Sequence, residues 1–132
     1  IDLALVSDDI LIDIKTCNSW KWRSLFGRKF QPDVPENYSL QLATYGIWYE
    51  QEYDKLNGMK LLYYNKDNSD MREVDVPMSM MQRAHDYWTA TVEVTQEQPV
   101  PPALELGTSP VYEWECNAKY CDYFDICGGI KK

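Results

Sequence analysis

The stretch Ile10-Leu11-Ile12-Asp13-Ile14-Lys15 constrains this chain most. Its Ile and Leu content predicts a β-strand. Strand alternation then puts Leu11, Asp13 and Lys15 on one face and Ile10, Ile12 and Ile14 on the other. A strand this apolar belongs in a core, where charges are unfavourable unless they are paired or hold a metal. The two charged residues are about 7 Å apart along a strand. That spacing leaves room for a water or a phosphate oxygen between a carboxylate and an ammonium.

The neighbouring segments supply a frame. Residues 1–6 read as a preceding strand, with Ser7-Asp8-Asp9 as the reversal. Residues 17–38 read as irregular, broken by Gly27, Pro32 and Pro35. A helix is expected from Tyr38 or Ser39 to Tyr53, capped by Ser39, with Leu40, Ala43 and Ile47 packed and Asn57-Gly58 closing the element. Gln41 and Tyr45 are four apart and share a face of that helix. Residues 59–64 and 71–76 form a hairpin around a polar loop, residues 65–70. A second helix is expected over residues 80–92, capped by Ser79, its packed side carrying Met81, Ala84, Tyr87, Trp88 and Thr91. Residues 98–102 read as a stiff connector. The order ββ-α-ββ-α-tail predicts an α/β domain with a mixed sheet.

At 132 residues the chain is one domain in length. No run reaches the ~20 apolar residues of a membrane span, and no signal peptide is visible, so the expected compartment is cytoplasmic with no membrane partner. The net charge of −8 argues against a uniformly basic nucleic-acid binder. The charge is unevenly spread, however. Residues 18–32 hold Lys21, Arg23, Arg28 and Lys29 without an acid, interleaved with Trp20, Trp22 and Phe30. Such a stretch offers cations for phosphates and rings for bases, or else core aromatics separated by solvated charges.

Phosphodiester hydrolysis needs carboxylates that hold Mg²⁺ or Mn²⁺, an activated water, and charge stabilisation at phosphorus. Asp13 and Lys15 offer two of these groups. Asp2, on the adjacent strand, can add a second carboxylate, and the Ile14 backbone carbonyl a further ligand. Taken alone, Asp-x-Lys is more often a simple ion pair. Three motifs in order are more specific: Ile1-Asp2-Leu3, then Leu11-Ile12-Asp13-Ile14-Lys15-Thr16, then Gln41-Leu42-Ala43-Thr44-Tyr45. Together they resemble the PD-(D/E)XK nucleases, in the RecB-like branch. The resemblance implies a restriction-endonuclease-like mixed sheet flanked by helices. It implies that Asp2 and Asp13 bind the metal and that Lys15 positions or activates the water. It also implies that Gln41 and Tyr45 support the site and touch the DNA, with Thr16, Lys21, Arg23, Arg28 and Lys29 as further DNA contacts.

The tail carries Cys116, Cys121 and Cys127 in the spacing C-x4-C-x5-C. Clustered thiolates bind soft metals and iron–sulfur clusters. The tail resembles those of iron–sulfur members of the branch, among them CRISPR-adaptation exonucleases and helicase–nuclease complexes, whose usual spacing is C-x2-C-x5-C. That resemblance implies a cysteine-rich cluster-binding tail over residues 112–132 on a nuclease core over residues 1–111. The cluster would be 4Fe-4S, with zinc as the alternative. Cys17 is the one other cysteine and a candidate fourth ligand; otherwise it is a small buried hydrophobe. Family members usually begin with a helix that completes the metal shell, so the core is expected to be N-terminally incomplete. His85, the single histidine, reads as structural.

The expectation is therefore a Mg²⁺- or Mn²⁺-dependent deoxyribonuclease, exonucleolytic on DNA ends or single strands. Its expected partners are recombination, replication, repair or CRISPR-adaptation proteins. The rivals are a structure-selective endonuclease on the same site, a non-catalytic DNA-binding or assembly module, and a zinc-binding interaction domain.

Overall fold

The computed structural model describes residues 2–27, 32, 34–97, 118–122 and 124. The chain forms two compact units, residues 1–84 and 85–132. The first unit holds strands β1 (Leu3–Leu5) and β2 (Ile10–Cys17), helices α1 (Ser19–Phe26) and α2 (Glu36–Tyr53), and strands β3 (Gly58–Asn65) and β4 (Met71–Val76). Helix α3 (Met80–Glu97) begins in the first unit and runs into the second.

The four strands form one mixed sheet in the order β1-β2-β3-β4. β1 pairs with β2 antiparallel, with Leu3 opposite Ile12. β2 pairs with β3 in parallel, with Asp13 opposite Leu61 and Lys15 opposite Tyr63. β3 and β4 form the expected hairpin. Because β2 and β3 are parallel, the chain must cross over between them, and α1 and α2 make up that crossover. An α/β architecture with a mixed sheet and helices is thus present.

Several local expectations change. Residues 19–26 are helical instead of irregular. Asn18 caps this helix by accepting from the Lys21 backbone N–H at 2.9 Å. Its inner side packs through Leu25, and through Phe26, which meets Tyr63 edge-on at 5.2 Å. α2 starts three residues before Ser39. Pro35 stands at its N-cap with φ −59°, and no side chain caps it, so Ser39 is an interior helical residue. The helix ends at Asp54 in the left-handed region (φ 57°), well before Asn57-Gly58, and Gly58 opens β3 instead. α3 extends to Glu97. Trp88, expected on its packed side, is 48% exposed.

The core of the first unit lies between the sheet and the helices. It gathers Leu11, Leu25, Leu40, Leu42, Ala43, Met59, Leu61 and Tyr63. β3 alternates cleanly between buried and half-buried positions along its length. In the second unit the turn at residues 118–120 and the bond from Phe124 N–H to the Cys121 carbonyl (3.2 Å) are described. Among the described residues, no helix is long and apolar enough to cross a membrane. The connector at residues 98–102 lies outside the described residues, as does most of the tail.

Candidate active site at the end of β2

Asp13 and Lys15 share the helix-facing side of β2, as alternation requires. Asp13 is 3% exposed, one of two buried polar residues among the described ones, the other being Asn65. The gap anticipated between the two charges is closed. Lys15 Nζ stands 2.7 Å from Asp13 Oδ2. The approach is a close ion pair with poor hydrogen-bond angles, so Oδ2 is buried and neutralised by Lys15 without a well-directed hydrogen bond. A carboxylate oxygen has a second lone pair, and no hydrogen bond to it is present among the described residues.

Three groups fix Lys15. Beyond Asp13, its ammonium donates to Gln41 Oε1 at 2.7 Å and lies 4.6 Å from the centre of the Tyr38 ring. Gln41 Nε2 in turn donates to Tyr45 Oη at 3.0 Å. Tyr38, Gln41 and Tyr45 follow at i, i+3 and i+7 on α2, so one stripe of that helix lies along the charged strand. Gln41 and Tyr45 therefore share one face of α2, as their i, i+4 spacing requires. Tyr38 was missed, because an aromatic at the start of a helix reads as ordinary packing.

Asp2 is exposed and lies just before β1. Its Oδ2 accepts from the Ile14 backbone N–H at 2.7 Å. Extending the β1–β2 register by one residue sets Asp2 opposite Asp13. A strand residue's N–H and C=O point to the same side, so the Ile14 carbonyl also faces the edge held by Asp2. Among the described residues, no group of three His, Cys, Asp or Glu side chains is placed to hold a metal ion. The oxygen set here is smaller: one buried carboxylate, one exposed carboxylate and one backbone carbonyl. Magnesium, which commonly keeps several waters and takes one or two carboxylates, suits such a set.

Thr16 alternates to the opposite face of β2 from Lys15 and is exposed there. Lys21 and Arg23 lie on α1, and Arg23 Nε donates to the Ser19 carbonyl at 3.3 Å. Arg28 and Lys29 lie outside the described residues. So do Cys116 and Cys127, and with them the three-cysteine set of the tail. Cys121 is half-buried in the second unit. Cys17 is buried in the core of the first, where burial, then the Asp67 carboxylate, pushes its thiol upward against the opposing pull of Lys21 and Lys66. His85 lies 3.6 Å from Asp86, with its side chain 65% exposed.

A second polar cluster closes the far ends of β2 and β3. Asp67 Oδ2 accepts from the Ser19 backbone N–H at 2.7 Å, and Asn65 Oδ1 accepts from the Asp67 N–H at 3.1 Å. The Lys66 N–H donates to the Cys17 carbonyl at 2.9 Å. The Ser19 bond holds the Asp67 carboxyl below its ordinary range. These contacts tie the start of α1 to the β3–β4 loop.

No protein-family model, no curated protein and no solved structure matches the chain.

Proposed function

We propose that this protein is a metal-dependent nuclease that hydrolyses phosphodiester bonds of DNA, working as an exonuclease on ends or single strands. The reading rests on one observation above the others: a buried carboxylate, Asp13, is ion-paired at 2.7 Å with Lys15 on the same strand face. A purely structural ion pair at this depth would gain from hydrogen bonds to the remaining lone pairs. Here the second lone pair of the oxygen is left for a hard cation. The motif resemblance described above points the same way, and within it this chain has a restriction-endonuclease-like core.

In this proposal Asp13, Asp2 and the Ile14 carbonyl hold Mg²⁺ or Mn²⁺. When bound, the ion supplies Lewis acidity and a more acidic water. The chain's own groups do the rest. Lys15 carries a fixed positive charge toward the phosphate and orients the attacking water. Gln41 and Tyr38 keep the Lys15 side chain extended over Asp13, and Tyr45 keeps the Gln41 amide oriented. The buried floor limits water around the carboxylate, which strengthens each electrostatic contact. The proposed 4Fe-4S or zinc centre of the cysteine tail would serve structure, not hydrolysis.

The test is a cleavage assay on the full chain with end-labelled single- and double-stranded DNA in Mg²⁺, Mn²⁺ or EDTA. The expected result is loss of nucleotides from ends with either metal, none in EDTA, and a loss of at least a hundredfold in Lys15→Ala. Metal-independent cleavage, or unchanged activity in Lys15→Ala, would reject the proposal. Nicking of a closed circle would replace the exonuclease with an endonuclease on the same residues.

A further inference from the structure

Trp20 and Trp22 look alike in sequence and differ in structure. Trp22 packs against Phe26 in a tilted pair at 4.7 Å, and Phe26 meets Tyr63 at 5.2 Å, so Trp22 belongs to the packed side of α1. Trp20 is 73% exposed. Exposure of one ring is common on protein surfaces, but an indole joins an apolar face to a polar edge and is enriched where partners bind.

Its surroundings narrow the partner. α1 follows β2 after a single residue, Asn18, so Trp20 stands five positions beyond Lys15, at the end of the strand that carries the candidate site. Trp20 and Arg23 are i and i+3 on the helix, hence neighbours on one exposed face, and Lys21 lies on the adjacent side of the same turn. The helix itself contains no acid, in a chain of net charge −8. Its first backbone donors are already taken, Ser19 N–H by Asp67 and Lys21 N–H by Asn18. With those two donors occupied, side chains are the main means of holding an anion here, and two cations on the turn that carries a flat ring complement a polyanion that carries flat groups.

We infer that Trp20 is a stacking platform for an unpaired nucleobase, with Arg23 and Lys21 on the flanking phosphates, so that the site takes single-stranded nucleic acid as substrate. This rests on the nuclease reading above and names the strand it acts on. The physical reason for strandedness is direct. Bases inside a duplex are already stacked on both sides and cannot offer a face to an exposed ring, whereas an unpaired base can.

The test is fluorescence anisotropy of the full chain with labelled oligo(dT) and with a blunt duplex of equal length. EDTA is present so that no cleavage occurs. Trp20→Ala should weaken oligo(dT) binding by roughly five- to 150-fold, the range of one stacked base. Trp20→Phe should keep most of the affinity, and duplex binding should not change. Arg23→Gln should lower the salt slope of binding by about one phosphate contact. Unchanged oligo(dT) affinity in Trp20→Ala, or an equal loss on duplex, overturns the inference. If the wild-type chain cleaves DNA yet shows either pattern, only the Trp20 assignment fails. If it neither binds nor cleaves any DNA, the nuclease reading fails with it.

Discussion

Gln41 on α2 accepts a hydrogen bond from Lys15 on β2 at 2.7 Å, across 26 positions of sequence. A flexible ammonium on a four-carbon stem is held by an amide that is itself held by Tyr45. The bond is charge-assisted, worth roughly 1.5–3 kcal/mol. Gln41→Leu should therefore lower kcat by about ten- to a hundredfold, since it frees Lys15 to leave Asp13. Steady-state kinetics with Lys15→Ala as reference checks this; a kcat equal to wild type would mean that the amide does not orient the lysine.

Tyr38 adds a second hold of a different kind. Its ring face lies 4.6 Å from the ammonium, and such contacts are worth about 0.5–2 kcal/mol. Tyr38→Phe should retain activity within about twofold, because the ring remains. Tyr38→Leu should lose roughly three- to 30-fold in kcat with the fold intact by circular dichroism. Equal loss in both variants would assign the effect to the hydroxyl instead of the ring face.

The Asp67–Ser19 bond makes stability depend on pH. The folded carboxyl sits below its unfolded value, so the unfolded chain binds more protons at low pH. The contribution is complete above the unfolded value of roughly 4 and disappears as pH falls through the lower folded value. In urea titrations, wild type should lose stability over this acid window more steeply than Asp67→Asn. Parallel acid limbs in the two proteins would show that the bond contributes nothing.

Gly46 lies in α2 where the helix meets the sheet. A Cβ there would stand 2.8 Å from Met59 Sδ and 3.1 Å from Leu56 Cδ2. Met59 is fully buried, so its side chain can give way only by disturbing the core. Gly46→Ala should destabilise by about 1–3 kcal/mol, overpacking outweighing the better helix propensity of Ala. Chemical denaturation measures this; an increase in stability would mean that Met59 finds another rotamer without strain.

Much of the frame was legible along the chain because it is set locally. Alternation in Ile10–Lys15 announced a strand with two charges on one face, and the polar loop at residues 65–70 announced the hairpin. The i, i+4 spacing put Gln41 beside Tyr45. Helix α1 stayed hidden, because Asn18 was not read as a cap and two Trp in eight residues dilute an amphipathic signal.

What local rules could not reach was which face of β2 would be covered. Alternation separates Ile10, Ile12 and Ile14 from Leu11, Asp13 and Lys15 without choosing between the two sides; in the fold Ile14 is 41% exposed, and α2 lies over Lys15. That choice depends on the parallel pairing of β2 with β3 and on where the crossover lays α2. The same placement closed the Asp13–Lys15 gap to 2.7 Å and brought Tyr38 over the lysine. Sequence order determines which residues each strand and helix can present. Only the packing of elements distant along the chain determines which of those side chains meet, because burial and contact are properties of the folded neighbourhood.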